Sequence, residues 1–342
     1  MNSSHPLISF GNSCATDFEM ESRMSSVFRT NVYWNNSVMA LTVVMTHLAV
    51  MRMMRRRMFG KTTRNLFFFC MFYYIIHDIY FAWTLNWSFY RSITECNNSC
   101  NIMFRGDECF FLYVFGIFLR ILLIYSQCAI TIERIVVTFL PNSDLLNSAT
   151  LNILTFLMSV ITTSILRPNG PSVYNNTNCF QQLYVGMHTI KNLIWVMVAF
   201  DFICFPLNCA ITLWYRRKFR SVQRKGYDLK SRYLYKNNMN SCMIVSIISL
   251  VQAIFYTAYS VSLYFVFRMY SDEHGLFTGN NYALWCYTFP LAGLALPCSI
   301  LLSFAALAIK KNNKIAVLQS TTASYTQDAY FKDLANSWNV KL

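Results

Sequence analysis

The sequence predicts an all-α membrane protein, a bundle of seven transmembrane helices. Apolar residues make up 55% of the 342-residue chain and charged residues only 13%, about half the charged share of a soluble domain. Seven apolar segments of roughly 20 residues or more are each long enough to cross a bilayer core. The third segment carries a polar stripe, which needs cover from neighbouring helices or a water-filled cavity. We therefore expect a bundle with this segment at its centre.

The third segment runs from Cys109 to Arg134, with the sequence CFFLYVFGIFLRILLIYSQCAITIER. The two ends lie on the same face of one helix, because 25 residues are very nearly a whole number of turns. They are roughly 37 Å apart at ~1.5 Å per residue, which matches a bilayer core of ~30 Å with part of both interfaces. The same face carries Tyr113, Gly116, Arg120, Leu123, Gln127 and Ile130.

The other six predicted spans cover about 32–51, 66–89, 149–166, 187–215, 241–267 and 281–309. Residues 1–31 form a polar N-terminal segment without the pattern of a cleavable signal peptide. Residues 32–309 form the membrane body, and 310–342 form a short polar tail.

The Lys/Arg bias between alternate loops predicts the orientation. Segments 52–65, 134–149, 216–240 and the tail hold twenty-one Lys or Arg residues, whereas the opposite loops hold six. The basic set should be cytoplasmic, with the N-terminus outside. Asn-linked glycosylation acceptors support this orientation, because all of them lie in outside loops or at outer ends of spans: Asn2, Asn35, Asn86, Asn97 and Asn175.

Five cysteines fall on the outer side, where a disulfide forms and persists. Cys109 begins the third helix and Cys179 lies in the next outside loop, so a bond between them would pin that loop over the mouth of the bundle. With Cys14, Cys96 and Cys100, one cysteine is left over or pairs between chains, as in a receptor oligomer. The alternative is that all five are free thiols.

Several function classes fit the sequence poorly. The net charge of +14 lies in the predicted cytoplasmic loops, so we expect no nucleic-acid partner. Repeated halves or several intramembrane charges would favour a transporter or channel subunit; we find no convincing repeat and few such charges, and this class remains the alternative. His77-Asp78 is the only adjacent pair with catalytic character. We expect no enzyme activity, cofactor or metal.

The third helix resembles that of rhodopsin-type G-protein-coupled receptors. A Cys stands at its outer end, with a Cys in the next outside loop, and Glu133-Arg134-Ile135 stands where that family has Asp/Glu-Arg-Tyr. The resemblance implies that Arg134, with Glu133, holds an inactive packing and is released to meet a G protein. The alternative is that Arg134 snorkels to lipid headgroups. The seventh span departs from the family, because Leu296-Pro297-Cys298-Ser299-Ile300 replaces Asn-Pro-x-x-Tyr.

A nearer resemblance is to the nematode serpentine chemoreceptors. Residues 132–138, IERIVVT, are similar to the I-E-R-x-x-A-T motif of that group, and residues 227–238, YDLKSRYLYKNN, resemble its L-S-x-R-Y-Q-x-x-E-N signature. The resemblance places the chain in the alpha superfamily, with class alpha-beta as the expected class. It implies a plasma-membrane receptor of sensory neurons, at cilia, which binds an odorant or pheromone in the outer cavity and activates a heterotrimeric G protein.

Arg120 is the main candidate for a ligand contact, since a charge near mid-membrane marks a partner or a functional site. It either reaches a carboxylate or polar odorant, or forms a structural ion pair with Asp201 or Asp78. The outer halves of the spans are rich in aromatic residues, which line a pocket or belong to the interfacial belt. The pocket candidates are Tyr113, Arg120, Trp195, Asp201, Tyr282 and Trp285.

Overall fold

A computed structural model describes the backbone of residues 14–15, 17–55, 59–139, 147–167, 179, 187–224, 229–269 and 284–324. Side chains are described in these ranges except at 18–19, 187–197, 201, 222–224, 229–234, 267–269, 311 and 314–324. The chain forms two units, Met1–Ser299 and Ile300–Leu342. Below, the outer end of the bundle is the end at which Cys109 lies, and the inner end is the one at which Arg134 lies.

The described residues form one short α-helix and seven long ones. They are α1 (Asp17–Met24), α2 (Ser26–Arg55), α3 (Lys61–Thr94), α4 (Gly106–Phe139), α5 (Ser148–Leu166), α6 (Met187–Arg224), α7 (Leu229–Met269) and α8 (Phe289–Ser324). Among the described residues, the seven helices α2–α8 are long and apolar enough to cross a membrane. The predicted all-α, seven-transmembrane fold class is confirmed.

Helix α4 is the central helix of unit 1. It packs against α3, α5, α6 and α7. Of the 18 consecutive residues that are most apolar in α4, 61% are buried, compared with 22% of the corresponding residues in α5. The structure buries the polar stripe of α4, including Arg120 and Gln127. Some large apolar side chains, such as Ile79 and Ile165, are exposed on the surface of the bundle. This exposure is expected in a lipid bilayer, where contact with hydrocarbon carries no free-energy penalty for an apolar side chain.

Helix α6 continues to Arg224 and α7 begins at Leu229, so helical structure extends into the basic segment 216–240 that was predicted as an inner loop. Lys and Arg are good helix formers, so the basic residues prolong the helices instead of ending them. At 38 residues, α6 is about 57 Å long at ~1.5 Å per residue and extends well beyond a bilayer core of ~30 Å.

The starts of the first and last long helices can be compared with the predicted spans. The first membrane helix begins at Ser26 rather than at residue 32, and the N-terminal segment before it contains α1. The last long helix begins at Phe289, and residues 281–283 of the predicted span lie outside the described residues. Pro290 lies in its first turn, where a residue without a backbone N–H is tolerated. Hydropathy alone did not reveal this start.

Candidate functional site

A chain of buried hydrogen bonds joins α4 to α3 near the middle of the membrane. The Arg120 Nε group donates to the Tyr287 hydroxyl at 3.3 Å, and that hydroxyl lies 2.5 Å from His77 Nε2. His77 Nδ1 lies 3.1 Å from Asp78 Oδ1. If Nδ1 carries the proton, each group in turn donates a hydrogen bond to the next.

Arg120 therefore does not pair directly with Asp78. The predicted ion pair between them is wrong: the Asp78 carboxylate faces His77, and Tyr287 stands between that pair and Arg120. The side chain of Asp201, the other predicted partner, lies outside the described residues. All four side chains of the chain are buried, so its hydrogen bonds are made in a low-dielectric setting, where they are stronger than in water.

Aromatic rings enclose this polar chain. The Arg120 guanidinium lies 5.1 Å from the centroid of the Tyr287 ring, a cation–π distance. Tyr287 in turn contacts Phe81 at 4.7 Å, Phe289 at 5.2 Å and Tyr259 at 5.5 Å between centroids. Helices α3 and α7 and the start of α8 thus meet around one tyrosine ring. We call Arg120, Tyr287, His77 and Asp78 with these rings the central cluster.

A second tyrosine pair lies beside the central cluster. The Tyr74 and Tyr256 hydroxyls are hydrogen-bonded to each other, and Gln252 Nε2 donates to the Tyr74 hydroxyl at 3.1 Å. Gly293 of α8 lies against the same residues, since a Cβ atom there would be 3.0 Å from Tyr74 Cδ1 and 3.4 Å from Asp78 Oδ2. The missing side chain of Gly293 lets α8 approach α3 closely.

Polar contacts continue along α4 toward the inner end, with Tyr113, Arg120, Gln127 and Arg134 at seven-residue intervals. Gln127 Nε2 donates to Ser249 Oγ at 3.1 Å, and Asn208 Nδ2 also donates to Ser249 Oγ at 3.1 Å. A cavity of about 10 Å³ adjoins Gln127, Asn208 and Ser249, room for about one water molecule. Helices α4, α6 and α7 are joined here through side-chain amides and a hydroxyl.

At the inner end, Arg134 contacts its neighbour Glu133 on α4 and one residue on each of α3 and α7. Its Nε and Nη2 groups donate to the two carboxylate oxygens of Glu133 at 2.5 and 2.6 Å, and Nη1 donates to Ser241 Oγ of α7 at 3.0 Å. Nη2 also contacts Thr63 of α3, whose hydroxyl donates to Glu133 at 2.9 Å. We call these four residues the Arg134 clamp. Arg134 and Glu133 are buried, so Arg134 does not snorkel to headgroups here.

The outer end is capped by α1 and two disulfides. Cys109 is bonded to Cys179 and Cys14 to Cys100, whereas Cys96 is a free cysteine. Ala15 N also donates to the Ser99 carbonyl at 2.7 Å. The residues that precede the first membrane helix are therefore attached to the loop between α3 and α4. The alternative that all five outer cysteines are free thiols is wrong.

A buried arginine fastens α1 to α3. Arg23 donates through Nη1 to the Ser88 hydroxyl and through Nη2 to the Ser88 carbonyl at 2.8 Å. Its guanidinium lies 5.1 Å from the Phe28 ring centroid. Nearby, Arg91 forms an ion pair with Glu108 at the start of α4. These contacts hold the cap over the outer ends of α2, α3 and α4.

The predicted pocket residues divide into three groups. Tyr113 is buried on α4 two turns outward from Arg120, and within the described part of the chain its hydroxyl has no hydrogen-bond partner. Trp285 is 40% exposed and does not belong to the central cluster. Tyr282 and the side chains of Trp195 and Asp201 lie outside the described residues.

The predicted glycosylation acceptors differ in their exposure. Asn97 is exposed in the turn after α3. Asn86 is exposed within α3 and exchanges hydrogen bonds with Asn36, while Ser88 of its acceptor sequence is fully buried. Asn35 is buried, and Asn2 and Asn175 lie outside the described residues.

Sequence reasoning missed Tyr287 and gave His77 no role in the site. A signal existed for α3: Tyr74, His77, Asp78 and Phe81 follow the spacing of one helix face. Tyr287 precedes the regular part of α8, so helical periodicity gave no indication that it points inward while Trp285 does not.

Comparisons with known proteins agree with this architecture. The family model described as "Serpentine type 7TM GPCR chemoreceptor Sra" matches residues 10–338. The chain is 27% identical to serpentine receptor class alpha-32 of Caenorhabditis elegans, over 92% of this chain and 93% of that protein. It is 26% identical to class alpha-33 of the same organism, over 94% and 97% of the two chains.

The predicted resemblance to nematode serpentine chemoreceptors is confirmed, but the finer assignment needs correction. The matching class is alpha, not alpha-beta, because the short motifs shared across the superfamily do not separate its classes. The chain is a multi-pass membrane protein, and it belongs to the Sra family of serpentine seven-transmembrane chemoreceptors.

Proposed function

We propose that this receptor binds a small environmental molecule in the outer half of the bundle and activates a heterotrimeric G protein at its inner face. One observation carries the proposal: the same face of α4 holds both Arg120, in the central cluster, and Arg134, in the clamp. The two residues are fourteen positions apart, about 21 Å along the helix. A ligand that shifts α4 against α3 or α7 would therefore act on both sites.

The ligand site centres on Arg120 and Tyr113. Arg120 supplies a cationic donor, and Tyr113 supplies a buried hydroxyl outward of it. Such a pair suits an odorant or pheromone with a carboxylate or another strong acceptor, and the surrounding rings suit its apolar part. The cap formed by α1 and the two disulfides limits entry from the outer side.

The coupling site is the Arg134 clamp. A buried charge that loses one partner is costly, so Arg134 stays packed between α3 and α7 until those helices move. Separation of α7 from α4 removes the bond to Ser241 and exposes a cation at the inner face. The Lys/Arg bias between alternate loops supports a cytoplasmic position for this inner face. Membership of a chemoreceptor family supports a location in the plasma membrane of sensory cilia.

The direct test is a G-protein activation assay in cells exposed to odorant and pheromone mixtures. We expect a response that Arg134→Ala abolishes at unchanged surface level. With the active compound in hand, Arg120→Gln should raise the half-maximal concentration without lowering surface expression. An unchanged dose response in Arg120→Gln would show that Arg120 does not contact the ligand.

A further inference from the structure

Two cysteines on different helices meet in the inner half of the membrane. The sulfur atoms of Cys204 on α6 and Cys128 on α4 are 3.4 Å apart. Eight cysteines form no disulfide, and within the described structure Cys128 and Cys204 are the one pair of them for which a sulfur–sulfur hydrogen bond is seen. Cys128 lies nineteen residues beyond Cys109 and six before Arg134, so the pair is about 9 Å along the helix from the clamp.

The pair is arranged for bond formation. A disulfide has an S–S length of about 2.0 Å, so the two sulfur atoms, now 3.4 Å apart, have to approach each other by about 1.4 Å. Cys204 is buried at 5% exposure, and Cys128 is half-buried, which leaves one sulfur open to a small reagent.

We propose that Cys128 and Cys204 form an oxidisable dithiol, which a small neutral peroxide converts to a disulfide between α4 and α6. One sulfur, as thiolate, attacks a peroxide oxygen; an S–O bond forms, the O–O bond breaks, and the leaving hydroxide takes a proton to become water. The second thiol attacks the sulfenic acid, an S–S bond forms, and the S–O bond breaks with release of water. For hydrogen peroxide, two thiols and one peroxide give one disulfide and two waters.

The position of this bond gives it a consequence for the receptor. On the inner side of the pair, Ile211 and Tyr215 of α6 pack with Ile135 of α4 and Cys242 of α7, next to the clamp. A covalent link between α4 and α6 restricts any separation of helices at this level. Oxidation should therefore lower G-protein activation. This consequence depends on the proposed function, whereas formation of the disulfide does not.

Thiol counting on the full-length receptor in native membranes tests the proposal. After treatment with hydrogen peroxide, removal of the oxidant and denaturation, we expect the number of alkylated cysteines to fall from eight to six. Mass spectrometry of peptic peptides should show residues 128 and 204 in one linked species that dithiothreitol separates. The matched control is Cys209→Ser, on the same helix, which should still lose two thiols. The double variant Cys128→Ser, Cys204→Ser should lose none.

Either of two results would overturn the dithiol: retention of all eight thiols after oxidation, or an equal loss in the double serine variant. Signalling gives a separate result. Peroxide should lower activation in the parent receptor, dithiothreitol should restore it, and the double variant should be insensitive. Linked peptides without a change in activation would keep the dithiol and overturn only its regulatory effect.

Discussion

The hydroxyl of Tyr287 accepts a hydrogen bond of 3.3 Å from Arg120 Nε, and the Arg120 guanidinium lies 5.1 Å from the centroid of the same tyrosine ring. One residue just before α8 therefore provides both a polar and an aromatic contact to the buried charge of α4. These two contacts hold the Arg120 guanidinium against Tyr287 in the central cluster.

Replacement of Tyr287 by Phe keeps the ring contacts and removes the hydroxyl between Arg120 and His77. We expect the free energy of unfolding to fall by about 1–3 kcal/mol, because buried polar groups lose a hydrogen-bond partner. Thermal unfolding of the purified receptor in detergent measures this change. The control is Tyr264→Phe, since Tyr264 is 58% exposed on α7 and should give no shift. An unchanged unfolding temperature for Tyr287→Phe would contradict the hydrogen-bonded chain.

Gly293→Ala tests the close approach of α8 to α3. The added Cβ would be 3.0 Å from Tyr74 Cδ1, closer than van der Waals contact, so the tyrosine must move and its bond to Tyr256 is disturbed. Overpacking of this kind costs about 1–3 kcal/mol. Gly60→Ala is the control, since its Cβ would be 3.7 Å from the nearest atom, Thr63 Oγ1. Equal unfolding temperatures for the two variants would show that Gly293 is not tightly packed.

Loss of the outer disulfide should destabilise the cap. Cys100→Ser opens a link between residues 86 positions apart, and loss of a disulfide typically costs about 2–4 kcal/mol. We expect a lower unfolding temperature and faster proteolysis within residues 1–25. Cys96→Ser is the matched control, because Cys96 lies in the same loop as a free cysteine. Similar behaviour of both variants would argue against a bonded cap.

Glycosylation tests the orientation. Asn97 is exposed in a turn, whereas Asn86 is helical with a buried Ser88 in its acceptor sequence. We therefore expect Asn97→Gln to increase gel mobility and to reduce the further shift caused by glycosidase, and Asn86→Gln to change neither. A receptor without a glycan at Asn97, together with labelling of the N-terminus only in permeabilised cells, would reverse the predicted orientation.

The sequence was sufficient for the number of spans and the central position of α4, because hydropathy and the spacing from Cys109 to Arg134 are properties of single segments. It was not sufficient for the partner of Arg120. Asp201 and Asp78 were the acidic candidates, whereas the described structure places Tyr287, from an irregular segment, against the Arg120 guanidinium. The ends of α6 and α7 were also missed, because a basic run looks the same in a loop and in a helix that leaves the bilayer. Pairing of Cys14 with Cys100 depends on the folding of α1 over the bundle, which no local pattern indicates.

Ligand-independent G-protein activation in Glu133→Gln tests the central claim most directly, since it requires no knowledge of the ligand. The substitution removes the negative charge that holds both Arg134 Nε and Nη2 and should weaken the clamp. We predict basal activation several-fold above the parent receptor at equal surface level; the double variant Glu133→Gln, Arg134→Ala should not show this rise. Basal activation equal to that of the parent in a well-expressed Glu133→Gln receptor would contradict a role for the clamp in coupling.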